Sequence, residues 1–153
     1  MAEKLDEQAE LLHRGVSELI RRYQFRDRQE ICCHGISVSQ CYVLTALAEK
    51  GQLTMGELAT YMQLTVSTMT RVVDQLVKKE YVDRCVDPKD RRVCCVQLTE
   101  DGQALVEKIN GELLAVERGV LEQIDPAARA GVVQAIALLA GAIDRWREDA
   151  KCC

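Results

Sequence analysis

Sulfur is the chemistry that stands out first. Eight cysteines occur in 153 residues, six of them as adjacent pairs (Cys32-Cys33, Cys94-Cys95, Cys152-Cys153), with Cys41 and Cys85 placed singly. The thiolate is the nucleophile and the soft metal ligand, and a helix N-terminus lowers a thiol's pKa. Cys41 falls in the first turn of a helix expected from residue 37, and Cys32 and Cys33 lie just before that turn. Three thiols at one helix start suit a trigonal site for As(III), Sb(III) or Hg(II) better than tetrahedral Zn(II). Taken alone, Cys41 reads as a small core residue facing Leu44 and Leu47. Cys152 and Cys153 end the chain. With the last helix beside the first helix of a partner subunit they would complete a site between subunits, while a frayed tail is the default. No CxxC spacing occurs, which argues against a zinc ribbon or a thioredoxin-type motif.

A second set of residues suits nucleic acid. Between 66 and 79, Met69, Val72 or Val73, and Leu76 form an inner stripe, and Ser67, Thr68, Thr70, Arg71 and Gln75 lie outside it. Arg71 and Gln75 have the reach and donors for base edges, whereas Ser67 and Thr70 suit phosphates. Downstream, Lys89 and Arg91 are expected to point outward from a charged tip, with Arg92 expected to pair with Asp90 or Asp87 and shape it. Residues 66–92 hold seven Lys/Arg and five Asp/Glu, a net of +2, so the rest of a chain of net charge −4 carries −6. That local reversal is the footprint of phosphate contact. A merely solvated polar face is the plainer alternative. Catalysis by cysteine needs a Cys–His pair with an orienting partner. His34 beside Cys32 and Cys33 is the only candidate, on a loop that scaffolds catalysis poorly, and His13 sits on a solvated helix face. The chain reads as a non-enzyme.

The elements that position these residues follow from period and punctuation. Leu5, Ala9, Leu12, Val16, Leu19, Ile20 and Tyr23 recur at steps of three and four, which predicts a helix over about 4–29. Ser37 with Gln40 and Thr54 with Glu57 form capping boxes that open helices to Lys50 and Met62, and Gly51 stops the first of them. After the 66–79 helix the period becomes two. Residues 81–86 and 93–98 are strands of a hairpin around the tip 87–92. Alternation puts Cys94, Val96 and Leu98 on the inner face and Cys95 outward with Gln97, opposite Cys85. Cys85 and Cys95 are then a possible second thiol site, clipped by a disulfide or a metal, or else two unrelated surface thiols. Thr99 opens a helix to about Gln123, and Asp125-Pro126 opens the last one, lined by Val132, Ile136, Leu139 and Ile143.

The fold class is therefore mainly α with a small β-hairpin wing: a winged helix-turn-helix with N- and C-terminal helices forming a dimerisation region. One domain spans 1–153, with a DNA-binding core at 36–100 and helical dimerisation segments at 1–35 and 101–153. Hydrophobic residues make up 48%, enough for a sizeable core, and the acidic balance excludes a uniformly basic coat. No apolar run approaches the ~20 residues of a membrane span, and the N-terminus lacks the layout of a signal peptide, so a cytoplasmic protein without membrane contact is expected.

Several segments together resemble the MarR family of winged-helix regulators: Leu53-Thr-Met-Gly-Glu-Leu-Ala59, Ser67-Thr-Met-Thr-Arg-Val-Val-Asp-Gln-Leu76, Tyr81-Val-Asp-Arg84, the run from Asp87 to Thr99, and Asp101-Gly102. They cover about residues 36–103, and the flanks match in layout only. The family pattern usually has Gly where Tyr81 stands. The resemblance implies a homodimer on palindromic double-stranded operator DNA, usually a repressor, that leaves DNA when an inducer binds. Zinc-sensing relatives place ligands in the Cys32–Cys41 region and add histidines from the fifth helix, which has none here, so Zn(II) is second choice. The expected function is a homodimeric repressor, with no obligatory cofactor, released by As(III) or a similar thiophilic ion. Alternatives are a thiol-oxidation repressor, a repressor answering a small aromatic ligand and, from another class, a metal carrier.

Overall fold

The structure, a computed structural model, describes residues 2–86 and 94–151, with side chains over 4–86 and 94–148. Lys89, Arg91, Arg92, Cys152 and Cys153, with the aspartates of the tip, lie outside the described residues. Helix α1 (Ala2–Cys32) precedes α2 (Val38–Lys50), a short strand β1 (Leu53–Thr54), α3 (Met55–Met62) and α4 (Val66–Lys78). Strands β2 (Val82–Val86) and β3 (Cys94–Leu98) follow, and then α5 (Glu100–Glu122) and α6 (Pro126–Lys151). This is the expected mainly α fold with a small antiparallel wing.

Local chemistry sets most boundaries. Ser37 and Thr54 accept from the backbone N–H of Gln40 and Glu57, whose side chains reach back to the cap N–H groups, so both capping boxes close. The hydroxyl of Thr65 accepts from Thr68 N–H at the start of α4, and Asp125 accepts from Ala127 N–H at 2.8 Å at the start of α6. Helix α1 runs three residues beyond the predicted end, through Cys32, so the loop before α2 is shorter than expected.

The sheet has the order β1-β3-β2, with β3 in the middle. Cys85 faces Cys95 and Arg84 faces Val96 across the hairpin, while Leu53 and Thr54 pair with Val96 and Cys95 on the other side. The segment Leu53–Thr54 thus becomes an edge of the wing sheet.

The chain divides into two compact units, residues 1–112 and 113–153, with the boundary inside α5. In the first, Leu44, Leu58, Met69, Val73, Leu76, Val82 and Val96 have no exposed surface. Each such side chain contributes about 1.5–3 kcal/mol of burial free energy. Asp27, nearly buried on α1, accepts from Arg26 Nη2 at 2.6 Å and Tyr42 Oη at 2.9 Å, which ties α1 to α2 with its charge satisfied. Gly102 is required for close approach: a Cβ there would lie 2.0 Å from the carbonyl oxygen of Tyr81. That contact lets Thr99 cap α5 while its Oγ1 donates to Glu80 O at 2.7 Å.

The second unit holds the end of α5 and α6, on which Val133, Ile136, Leu138, Ile143 and Trp146 are exposed. By length and composition the helix 126–148 is apolar enough to cross a membrane. That corrects the expectation of no such segment: the uncharged stretch 130–143 is short, but Ala127 and Ala128 before it lengthen the apolar window across a single charge at Arg129. On α1, Leu5, Leu11, Leu12, Leu19, Ile20 and Phe25 are likewise exposed.

Candidate nucleic-acid interface

Helix α4 turns Met69, Val73 and Leu76 into the core, settling the Val72-or-Val73 choice in favour of Val73. Ser67 and Arg71 are exposed on the opposite side. Thr68 and Thr70 are half-buried, and their hydroxyls have local partners: Thr65 Oγ1 at 2.9 Å and Val66 O at 2.8 Å. Ser67 Oγ lies 3.1 Å from Thr65 Oγ1. Among the described residues no ion pair engages Arg71, so its guanidinium is available to an external anion or base edge.

Consecutive residues hold the two flanks of α4. Asp74 pairs with Arg84 of β2, which locks the helix to the wing. Gln75 is exposed but accepts a 2.7 Å hydrogen bond from Gln40 Nε2, which locks it to the start of α2. Gln40 and Lys79 were not singled out by sequence. The Lys79 ammonium donates to Gly35 O and, at 3.2 Å, to Gln40 Oε1. The capping box marked Gln40 as an N3 residue, but nothing local pointed to its partner 35 positions away.

The turn after α4 has its left-handed residue at Glu80, with φ +62°. Position 80, not Tyr81, is therefore where a glycine would relieve strain, a correction of one residue.

The sulfurs fall into two groups. Cys85 and Cys95 form a disulfide across the hairpin, with Cα atoms 4.9 Å apart. The expected register is present. The expected burial is not: Cys95 is 1% exposed, whereas Cys94 is exposed. The cause is β1, which flanks β3 at Cys95 and Val96 but ends before Cys94.

Near α2, Cys32 and Cys33 are exposed at the end of α1, and Cys33 Sγ donates to Gln29 O at 3.1 Å. Cys41 is buried, and burial raises its thiol pKa, with the Asp27 carboxylate raising it further against a lowering hydrogen bond from Thr45. The lowering expected from the helix N-terminus is outweighed by desolvation. Among the described residues no three His, Cys, Asp or Glu side chains come together to hold a metal ion. The grouping of Cys32, Cys33 and Cys41 around one ion is therefore absent, because α1 carries the first two outward and α2 turns the third inward. His34 is enclosed (side chain 10% exposed) and meets Glu112 of α5 at 2.6 Å, a structural pairing 78 residues apart that sequence did not reveal.

Known proteins bear on this geometry. The sequence profile of the MarR family matches residues 34–93. An uncharacterized HTH-type transcriptional regulator of Mycobacterium leprae is 36% identical over 106 residues, 67% of this chain and 71% of that protein. The uncharacterized HTH-type transcriptional regulator YhbI of Bacillus subtilis is 28% identical over 113 residues, 74% and 71% of the two chains. A MarR family protein from Bacillus stearothermophilus has the same fold, with a TM-score of 0.83 over 91% of this chain and 97% of that one at 24% identity. Fold and relatives are those of regulators, not of enzymes. The chain, with its outward polar helix between wing and α2, belongs to the MarR family of DNA-binding transcriptional regulators.

Proposed function

We propose that this regulator is a cytoplasmic homodimeric repressor whose hold on operator DNA depends on the oxidation state of Cys85 and Cys95. The observation that carries this reading is their direct cross-strand register at the base of the charged wing tip. Oxidation removes two protons and two electrons from the pair and forms one S–S bond. The protons and electrons pass to hydrogen peroxide, which leaves as two waters, to an organic hydroperoxide, which leaves as an alcohol and a water, or to a low-molecular-weight disulfide, which leaves as two thiols. The bridge ties β2 to β3, so the two strands lose the adjustment to the duplex that the reduced pair allows. The reduced form binds the operator, and the oxidised form releases it. The exposed apolar residues of α1 and of α6 suit pairing with a second copy, and two recognition helices then meet half-sites about 10 bp apart.

A second reading rests on the same pair. Reduced, the two thiols form a chelating dithiol for As(III), Sb(III) or Hg(II), with Zn(II) a poorer fit.

The test is a titration of the protein with its operator, isolated by selection from random duplexes. Dithiothreitol, peroxide and, under reduction, As(III) are compared. The expected result is at least tenfold weaker binding with peroxide, absent in Cys85→Ser and Cys95→Ser. Equal affinity in the reduced and oxidised wild type overturns the oxidation reading. Release by As(III) alone, abolished by the same variants, moves the function to the metalloid. Sedimentation at micromolar concentration tests the dimer.

A further inference from the structure

Gln40, at the third position of α2, is 4% exposed, and the identities of its neighbours dictate which way its amide points. Its Oε1 accepts from Ser37 N–H at 3.1 Å and from the Lys79 ammonium at 3.2 Å. Both of these groups only donate, so the carbonyl end of Gln40 must face them. The NH2 end is thereby turned toward α4, where it lies 2.7 Å from Gln75 Oε1. An amide NH2 cannot accept, so Gln75 has to meet it with oxygen, and the NH2 of Gln75 is turned the other way on an exposed side chain.

We propose that Gln40 is a specificity-determining positioning residue that fixes the Gln75 amide with its NH2 end presented to DNA. This rests on the reading of Gln75 as a base-edge contact. A glutamine able to rotate pairs bidentately with adenine, donating to N7 and accepting from N6. Gln40 holds the Gln75 oxygen toward α2 through one of its two lone pairs, so an amide that keeps this bond meets DNA with its NH2 end first. Its NH2 instead selects edges rich in acceptors, the O6 and N7 of guanine or the O4 of thymine. The Lys79 ammonium, which also donates to Gly35 O, keeps the first member of this chain from reversing.

The informative variant is Gln40→Glu. Glutamate at the third position of a capping box keeps an oxygen for Ser37 N–H and Lys79, and it is a residue that position favours. An ionised carboxylate has nothing to donate to Gln75. Gln75 must then reverse, turning NH2 inward and oxygen outward. The full-length wild type, Gln40→Glu and Gln75→Ala are each used to select binders from a random duplex pool, and the selected pools are sequenced. The expected result is a change at one base pair per half-site, from guanine or thymine in the wild type to adenine or cytosine in Gln40→Glu. The ratio should shift at least tenfold, with the other positions unchanged and no preference at that position in Gln75→Ala. If Gln75→Ala selects the wild-type sequence, Gln75 reads no base, and the contact reading falls with the inference. If Gln75→Ala flattens one position while Gln40→Glu keeps the wild-type base there, the inference alone is overturned. A measurement without DNA separates the two further. The side-chain NH2 protons of Gln75 should exchange with water several-fold more slowly in Gln40→Glu than in the wild type, and equal rates overturn the proposed orientation directly.

Discussion

The cysteines of the wing and those around the α1–α2 turn differ in what holds them, and the difference separates chemistry that a fold enforces from chemistry that a sequence only suggests. In the wing, strand register sets Cys85 directly against Cys95, and any antiparallel pairing of these segments in that register brings the sulfurs together. At the turn, Cys32, Cys33 and Cys41 are close in sequence, yet each is oriented by a different constraint. The last turn of α1 carries two outward, and the packing of α2 against Asp27 and the core takes the third inward. Nearness along the chain is not convergence in space. Helical periods disperse side chains around an axis, whereas strand pairing aligns them opposite one another.

The contrast can be broken most sharply by alkylation. Iodoacetamide on the native protein should modify Cys32 and Cys33 at least about 100-fold faster than Cys41, read by mass spectrometry of the peptides, because a buried thiol of raised pKa offers little thiolate. Raising the pH should speed Cys41, since deprotonation begins only above the usual thiol range. Comparable rates near neutrality would mean that α2 does not bury this sulfur.

A smaller effect concerns stability. Opening the Cys85–Cys95 bridge with dithiothreitol should lower the unfolding free energy by about 2–3 kcal/mol, the scale for a short closed loop. Cys32→Ser and Cys33→Ser should stay within about 0.5 kcal/mol. Urea denaturation measures both, and a reduced form as stable as the oxidised one would remove the wing's distinction. Within β3, Cys94→Ser should be near neutral under reduction, while Cys95→Ser at the covered position should cost about 1–2 kcal/mol. A reversed order would restore the burial expected from alternation alone.

The smallest effect lies where α4 hands over to the wing. Glu80→Gly should raise stability by about 0.5–1 kcal/mol, since a left-handed backbone strains any residue with a Cβ and the gain is reduced by glycine's greater unfolded freedom. Tyr81→Gly should instead destabilise. A stabilising Tyr81→Gly would return the turn to its expected position.

Much of this architecture was legible because its signals are local. The boxes at Ser37/Gln40 and Thr54/Glu57, the stripe through Met69 and Leu76 that left Val72 or Val73 between them open, and the switch to period two after Lys79 each need only a few neighbouring residues. The polar face holding Ser67 and Arg71 followed from the same stripe. What escaped was decided across the chain. The burial of Cys94 and Cys95 depended on whether a two-residue strand 40 positions upstream pairs with β3 and how far it reaches. The Gln40–Gln75 and His34–Glu112 contacts have no sequence pattern, because a polar pair between distant elements leaves none.

By itself, then, the sequence determined which segments are helices and which form the hairpin, which face of α4 is polar and which residue of β2 opposes which of β3. Each is set by hydrophobic period, capping and the two-residue repeat of a strand. Tertiary structure alone decided which thiols are sheltered, which way the Gln75 amide points and what braces the recognition helix. Those outcomes depend on desolvation and on donor–acceptor matching between elements far apart in the chain, and such terms take their sign only once the elements are packed together.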